Sequence, residues 1–278
     1  MSSFRENKNI IYIQLTLAMV MVGANIAVGK AIVETLPVFL FSALRFLIAL
    51  SALLLIQLYQ GELRFNFSLK DYRNLFMQAL IGMFLFSTFM LYGVRLTTAT
   101  SAGIITSTVP ACIGVLSVVL LGERLSVRGM LAIGLAVLGI AAINFQGQAG
   151  SQESGSLVGN MLILFAVVSE AFFTIFTKEI SSRHAPLKIA TGVNMFGFLL
   201  FAPLALWEAN MFDFTAVSLS VWGLIVYYAL TASVLSFILW CQGVAKVSIS
   251  LAGLFTGFMP LSNALVASMK EQKGRPEK

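Results

Sequence analysis

Nine apolar runs separated by short polar joints fill almost the whole chain: residues 10–33, 37–59, 75–94, 99–121, 129–145, 157–178, 187–206, 217–244 and 248–267. A helix needs about 20 mainly apolar residues to cross the hydrocarbon core of a bilayer, and most of these runs reach that length. Their apolar character is continuous and not alternating, which excludes the strands of a membrane barrel. Only helices and closed barrels satisfy their backbone polar groups in lipid, so the runs read as transmembrane helices. Composition removes the soluble alternative. Of 278 residues, 58% are hydrophobic and only 11% charged, whereas soluble domains devote about a quarter of their residues to charge. The expected fold class is an all-α polytopic membrane protein.

The first run follows MSSFRENKN and exceeds the apolar core of a secretory signal, so it reads as an uncleaved span. With the N-terminus inside, the inside segments carry eleven Lys and Arg, against Lys30 and Arg95 outside, leaving aside the basic tail after the last span. That bias predicts a multi-pass protein of the cell inner (plasma) membrane with a cytoplasmic N-terminus. These same clusters account for the net charge of +6, and no nucleic-acid partner is expected. Cys112 and Cys241 fall in separate spans with nothing to pair them, and no metal or cofactor is expected.

The chain repeats itself. Tyr92–Val115 lies over Gln242–Leu265 at a constant offset of 150, with identities at Gly93/Gly243, Val94/Val244, Ala102/Ala252, Gly103/Gly253, Thr106/Thr256 and Pro110/Pro260. Upstream, Pro37 meets Pro186 and Lys30 meets Lys178, at offsets of 149 and 148. The unit holds five helices, an odd number, so the second copy enters the membrane from the opposite face as an inverted repeat. The expected division is a first five-helix repeat over 1–146, a Gly/Ser/Gln-rich linker over 147–156, and a second repeat over 157–278. The second copy is expected to hold four helices (5+4 in all), because EQKGRPEK stands where a tenth span would begin.

Several segments resemble EamA-type transporters of the drug/metabolite transporter superfamily: VGANIAVGK (22–30), Ala43–Phe46, residues 93–126 and residues 241–260. The most specific piece is the Pro-containing fourth helix running into Leu121-Gly122-Glu123. The resemblance implies ten helices with both ends cytoplasmic, two inverted five-helix repeats, and export of amino acids or other metabolites. It also implies that the fifth and tenth helices lie at the periphery of a central cavity. Related exporters usually carry an aromatic residue where this chain has Glu170, a departure that bears on substrate preference.

Ionisable groups are costly in a membrane, so each one is a candidate site residue. Arg45 lies about eight residues into the second span; it either contacts an anionic solute or snorkels outward. Its repeat counterpart is Asn194. Glu170, near the middle of the sixth span, is the proton-coupling candidate, since lipid disfavours the charged carboxylate; the alternative is a static pair with a cation such as Arg45. The Asn25 amide, beside Gly23 and Ala24, either binds solute or bonds across helices. Pro110 and Pro260 interrupt helices at matching positions, which is the best sequence pointer to a transport site. Thr106 and Thr256 lie one turn before them. Tyr92 and Trp240 either shape a cavity or belong to an interfacial aromatic belt. Lys30 and Lys178 read as end-of-helix anchors.

No H-E-x-x-H, no G-x-S-x-G and no paired intramembrane carboxylates occur, and the single His184 lies in a loop, so an enzyme is not expected. A pump lacks its phosphate-binding motif, and a channel lacks rings of charge or a filter loop. What remains is a secondary transporter, exporting small metabolites such as amino acids, or amphipathic drugs, by alternating access. The alternative is a truncated, non-transporting membrane protein. The expected partners are a small-molecule solute and the lipid bilayer, with a homodimer left open.

Overall fold

A computed structural model describes residues 8–62, 65–97, 99–123 and 156–262, together with scattered positions between 127 and 138 and residues 265–266. Among these residues the chain is helical with no strand. Six helical rods are long and apolar enough to cross a membrane, and two shorter apolar helices, Val109–Leu121 and Ile249–Ser262, accompany them. The expected fifth helix and the linker lie largely outside the described residues, as does the chain where a tenth helix was expected to be missing.

The first half contains α1 (Lys8–Val33), α2 (Val38–Gln60), α3 (Leu69–Met77), a π-helical segment (Gln78–Leu85), α4 (Phe86–Leu96), α5 (Ala99–Thr106) and α6 (Val109–Leu121). The second contains α7 (Leu157–Ser181), α8 (Pro186–Ala209), α9 (Leu219–Tyr228), a second π segment (Ala229–Ser236), α10 (Phe237–Lys246) and α11 (Ile249–Phe255). Hydropathy alone placed the start of the third span near residue 75. The helix begins at Leu69 because Ser68 and Asp71 form a capping box: the Ser68 hydroxyl accepts from the Asp71 N–H, and the Asp71 carboxylate accepts from the Ser68 N–H.

Among the described residues the two halves match over their first four spans. Each third rod carries a π segment at the same place, and each opens on a capping serine, Ser68 or Ser218. Each fourth helix breaks at a two-residue turn, 107–108 or 256–257. Corresponding helices then run antiparallel. Along α2 and α8, Leu40 pairs with Glu208, Phe46 with Phe201, and Gln57 with Thr191, so one index rises as the other falls. Helix α1 runs antiparallel to α9–α10 through Gln14–Gln242 and Asn25–Thr231, and α7 meets α3–α4 in the same sense through Thr177–Gln78 and Asn160–Thr97. This is an inverted repeat.

Helices in lipid gain little from burying apolar surface against one another, so close approach rests on small residues and interhelical hydrogen bonds. Both occur at equivalent positions. A Cβ on Gly243 would stand 2.5 Å from Leu15 Cδ2, and a Cβ on Gly93 would stand 2.6 Å from Ile163 Cδ1. Only glycine lets those side chains lie against the opposing backbone.

Candidate functional site: a central cavity

Between the halves lies a cavity of about 550 Å³, walled by α1, α2, the two π-containing rods, both broken helices and α7. Its position in depth follows from which residues reach it. From α1 the wall takes Met19, Val22 and Ile26, while Ile11 and Leu15, nearer the N-terminus, are buried against Val244 and Trp240. The α2 contribution is Arg45 and Phe46, far from Gln57, which bonds Thr191 toward the N-terminal face. The hollow therefore occupies mid-depth and the half of the bundle away from the N-terminus. The N-terminal half is solid.

Seven of the ten residues picked from sequence line this cavity: Arg45, Thr106, Pro110, Glu170, Trp240, Thr256 and Pro260. The paired helix breaks sit on its wall as the repeat predicted. In α6, Pro110 stands in the first turn after the break, where its missing N–H costs no hydrogen bond. Arg45 does not pair with Glu170. Its guanidinium carbon lies 4.4 Å from the Phe46 ring centroid and 5.3 Å from that of Tyr228, and Nη1 donates to the Tyr228 hydroxyl at 3.3 Å. Aromatic faces attract a cation without neutralising it, and the buried Arg45 Nε has no hydrogen-bond partner. Glu170 makes no ion pair among the described residues. The Trp240 Nε1 donor, on a side chain that is 2% exposed, is likewise unpartnered. The wall thus offers one cation, one carboxylate and unspent donors amid methionines and aromatic rings.

Three picks stand off the wall. Asn25 is buried between helices, donating to Met21 O at 2.9 Å and to Thr231 Oγ1 at 3.0 Å. Asn194 is fully buried and spans from Ala190 O to Ser233 O, so it ties α8 to the second π segment. Tyr92 is 44% exposed on the outer surface. The sequence reading missed Tyr228, which holds Arg45, and the hydroxyls of Ser87, Ser233 and Ser236. Serines in an apolar helix carry no mark of which neighbour they face, and nothing local sets Tyr228 apart from the adjacent Tyr227.

An antiparallel pair of helical repeats around a mid-depth, partly polar cavity is the architecture of a secondary transporter. The chain belongs to the EamA-like transporter family, whose profile matches it twice, over residues 9–145 and 157–271. It is 46% identical over 261 residues to the uncharacterized transporter YetK of Bacillus subtilis, covering 93% of this chain and 78% of that protein. Identity to the uncharacterized transporter YyaM of the same organism is 22%, over 92% of this chain and 85% of that one. A solved crystal structure superposes with a TM-score of 0.77 across 94% of this chain and 90% of the other, at 16% identity, and shares the fold.

Proposed function

We propose that this protein is a secondary exporter of small metabolites such as amino acids, or of amphipathic drugs, working by alternating access across the inner membrane with its N-terminus in the cytoplasm. The observation that carries this reading is the cavity: Arg45 and Glu170 line one hollow without pairing with each other. Holding two opposite charges apart in a low-dielectric site is costly unless a solute or a proton completes them. Met19, Met83, Met90 and Met259 around them supply an adaptable apolar wall. The residue ranges 1–146 and 157–278 serve as the two homologous gates, and Glu170 takes up a proton when no solute covers it.

The test compares metabolites in the culture medium with and without expression of the protein, and again with Glu170→Gln. Expression is expected to enrich at least one charged organic solute in the medium, and the variant to lower that enrichment about tenfold or more. An unchanged medium defeats the export reading. Undiminished export by the variant removes Glu170 from the coupling role.

A further inference from the structure

The N-terminal side of the cavity is packed solid, and one turn on that side is held by two charges. Residues 247–248 join α10 to α11. The last carbonyls of α10 and the first N–H groups of α11 lack partners within their own helices, and they carry the negative and positive ends of the respective helix dipoles. Lys178, near the end of α7, donates from Nζ to Val244 O at 2.8 Å, to Ala245 O at 3.1 Å and to Val247 O. Glu123 accepts at 2.9 Å from the Ile249 N–H, at 3.2 Å from the Ser250 N–H and at 2.8 Å from the Ser250 hydroxyl. A cation thus caps the negative end and an anion the positive end, and the two charges attract across the turn.

Glu123 reaches that position because Gly122, at φ 66°, turns the chain sharply out of α6. The Leu-Gly-Glu sequence therefore ties the first half of the molecule to the fourth helix of the second. Beside it the halves touch through two small side chains, Ser117 Oγ and Ser250 Oγ, 2.9 Å apart. The repeat shows what is particular here. At the N-terminal face α7 packs against α10 and α11; its counterpart α1 makes no comparable packing with α4 or α5 among the described residues. Among the described residues these helices meet at the N-terminal face while their counterparts do not meet at the other, and the charged clamp is where they meet.

We propose that Lys178 and Glu123 form a latch that holds the N-terminal face of the cavity shut, and that releasing the α10–α11 turn opens the cavity to that face. The inference rests on the alternating-access reading. The partners of both charges are mostly main-chain groups, so the latch can be made and broken without stranding a buried ion pair.

The experiment measures which face reaches the cavity. In a Cys112→Ala, Cys241→Ala background, Ser236→Cys places a reporter thiol on the cavity wall, and a charged, membrane-impermeant maleimide is added to sealed vesicles from one face or the other. Without latch changes, labelling is expected to be faster from the face opposite the N-terminus. Lys178→Met and Glu123→Gln each remove charge-assisted hydrogen bonds and are expected to raise the ratio of N-terminal-face to opposite-face labelling about tenfold. Lys178→Arg is expected to keep most of the original ratio, and Lys70→Met, which breaks an exposed pair with Glu179 on the same face, to leave it unchanged. If Lys178→Met does not fold, Glu123→Gln carries the test alone, because it keeps the shape of the side chain. Lowered thermal stability with an unchanged labelling ratio makes the clamp a static brace and overturns the proposal. No solute is needed for labelling, so a switched ratio without measurable export defeats the transport reading and leaves the latch standing.

Discussion

Toward the N-terminal face, α2, α3, α7 and α8 meet through Leu53, Leu75, Ile180 and Ile189, all fully buried, and through Gln78, which donates to Asn74 at 2.7 Å and accepts from Thr177 at 3.1 Å. Deeper in the bundle, the same α2 and α7 border a hollow with Arg45 and Glu170 on its wall. Each half leaves some buried polar atoms without partners, Gln14 Oε1 and Gln57 Oε1 in the solid one, Arg45 Nε and Trp240 Nε1 in the hollow one; only the hollow one holds a cation and a carboxylate against open space. In lipid, hydrophobicity does not distinguish the two regions. Open volume and unpaired charge do, and they separate the part that holds the helices together from the part that awaits a ligand.

Substitutions at the two depths test that contrast. The largest effect is expected from Leu75→Ala, which empties a fully buried position and should cost about 3 kcal/mol in detergent thermal denaturation. Met90→Ala, on the cavity wall, should cost less than about 1 kcal/mol because one side of Met90 already faces open space. Equal losses at both positions would erase the distinction between solid and hollow halves.

Next in size is Gly243→Ala, whose new Cβ would stand 2.5 Å from Leu15 and is expected to destabilise by about 2 kcal/mol through overpacking. Gly223→Ala, with nothing within 4 Å of the added carbon, should be neutral or stabilising by up to about 1 kcal/mol. Thermal midpoints of the two variants measured side by side decide whether close helix approach is what glycine supplies here.

A smaller loss, about 0.6 kcal/mol, is expected from Thr177→Val, which removes one interhelical hydrogen bond in the solid half. The smallest expected effect depends on pH. Burial pushes the Glu123 carboxyl up, but hydrogen bonds from Ile249 and Ser250 and the charge of Lys178 outweigh it and hold the group below its ordinary 4.5. A lowered folded value means that stability is present above the unfolded pKa and lost as pH falls through the folded one. The gap in melting temperature between the parent and Glu123→Gln should therefore be steady near neutrality and close below about pH 4. A gap that persists at lower pH would show that the carboxylate charge is not what holds the α10–α11 turn.

Much of this architecture was legible before any coordinates. Among the described residues the rods fall where hydropathy put them, except at α3, where a capping box extends the helix through the polar stretch 70–74. Matching Pro110 and Pro260 located the paired breaks, and membrane-embedded Arg45 and Glu170 located the cavity. Two of the three picks that stand off the wall share a form. Asn25 and Asn194 are as polar as any cavity residue, yet each spends its amide on a neighbouring helix. A side chain's chemistry shows that it needs a partner and not which partner it will find.

What the sequence determined by itself, then, is what depends on local composition and on self-similarity: the apolar spans and the doubled plan. These follow because a lipid solvent imposes its requirement one helix at a time. Tertiary structure alone decided which side chains share the hollow, that Tyr228 holds Arg45, and that Lys178 and Glu123, 55 residues apart in the chain, close on the same turn. Those choices depend on the register and rotation of packed helices, which a small residue such as Gly243 or a single interhelical hydrogen bond can set, and which no individual span encodes.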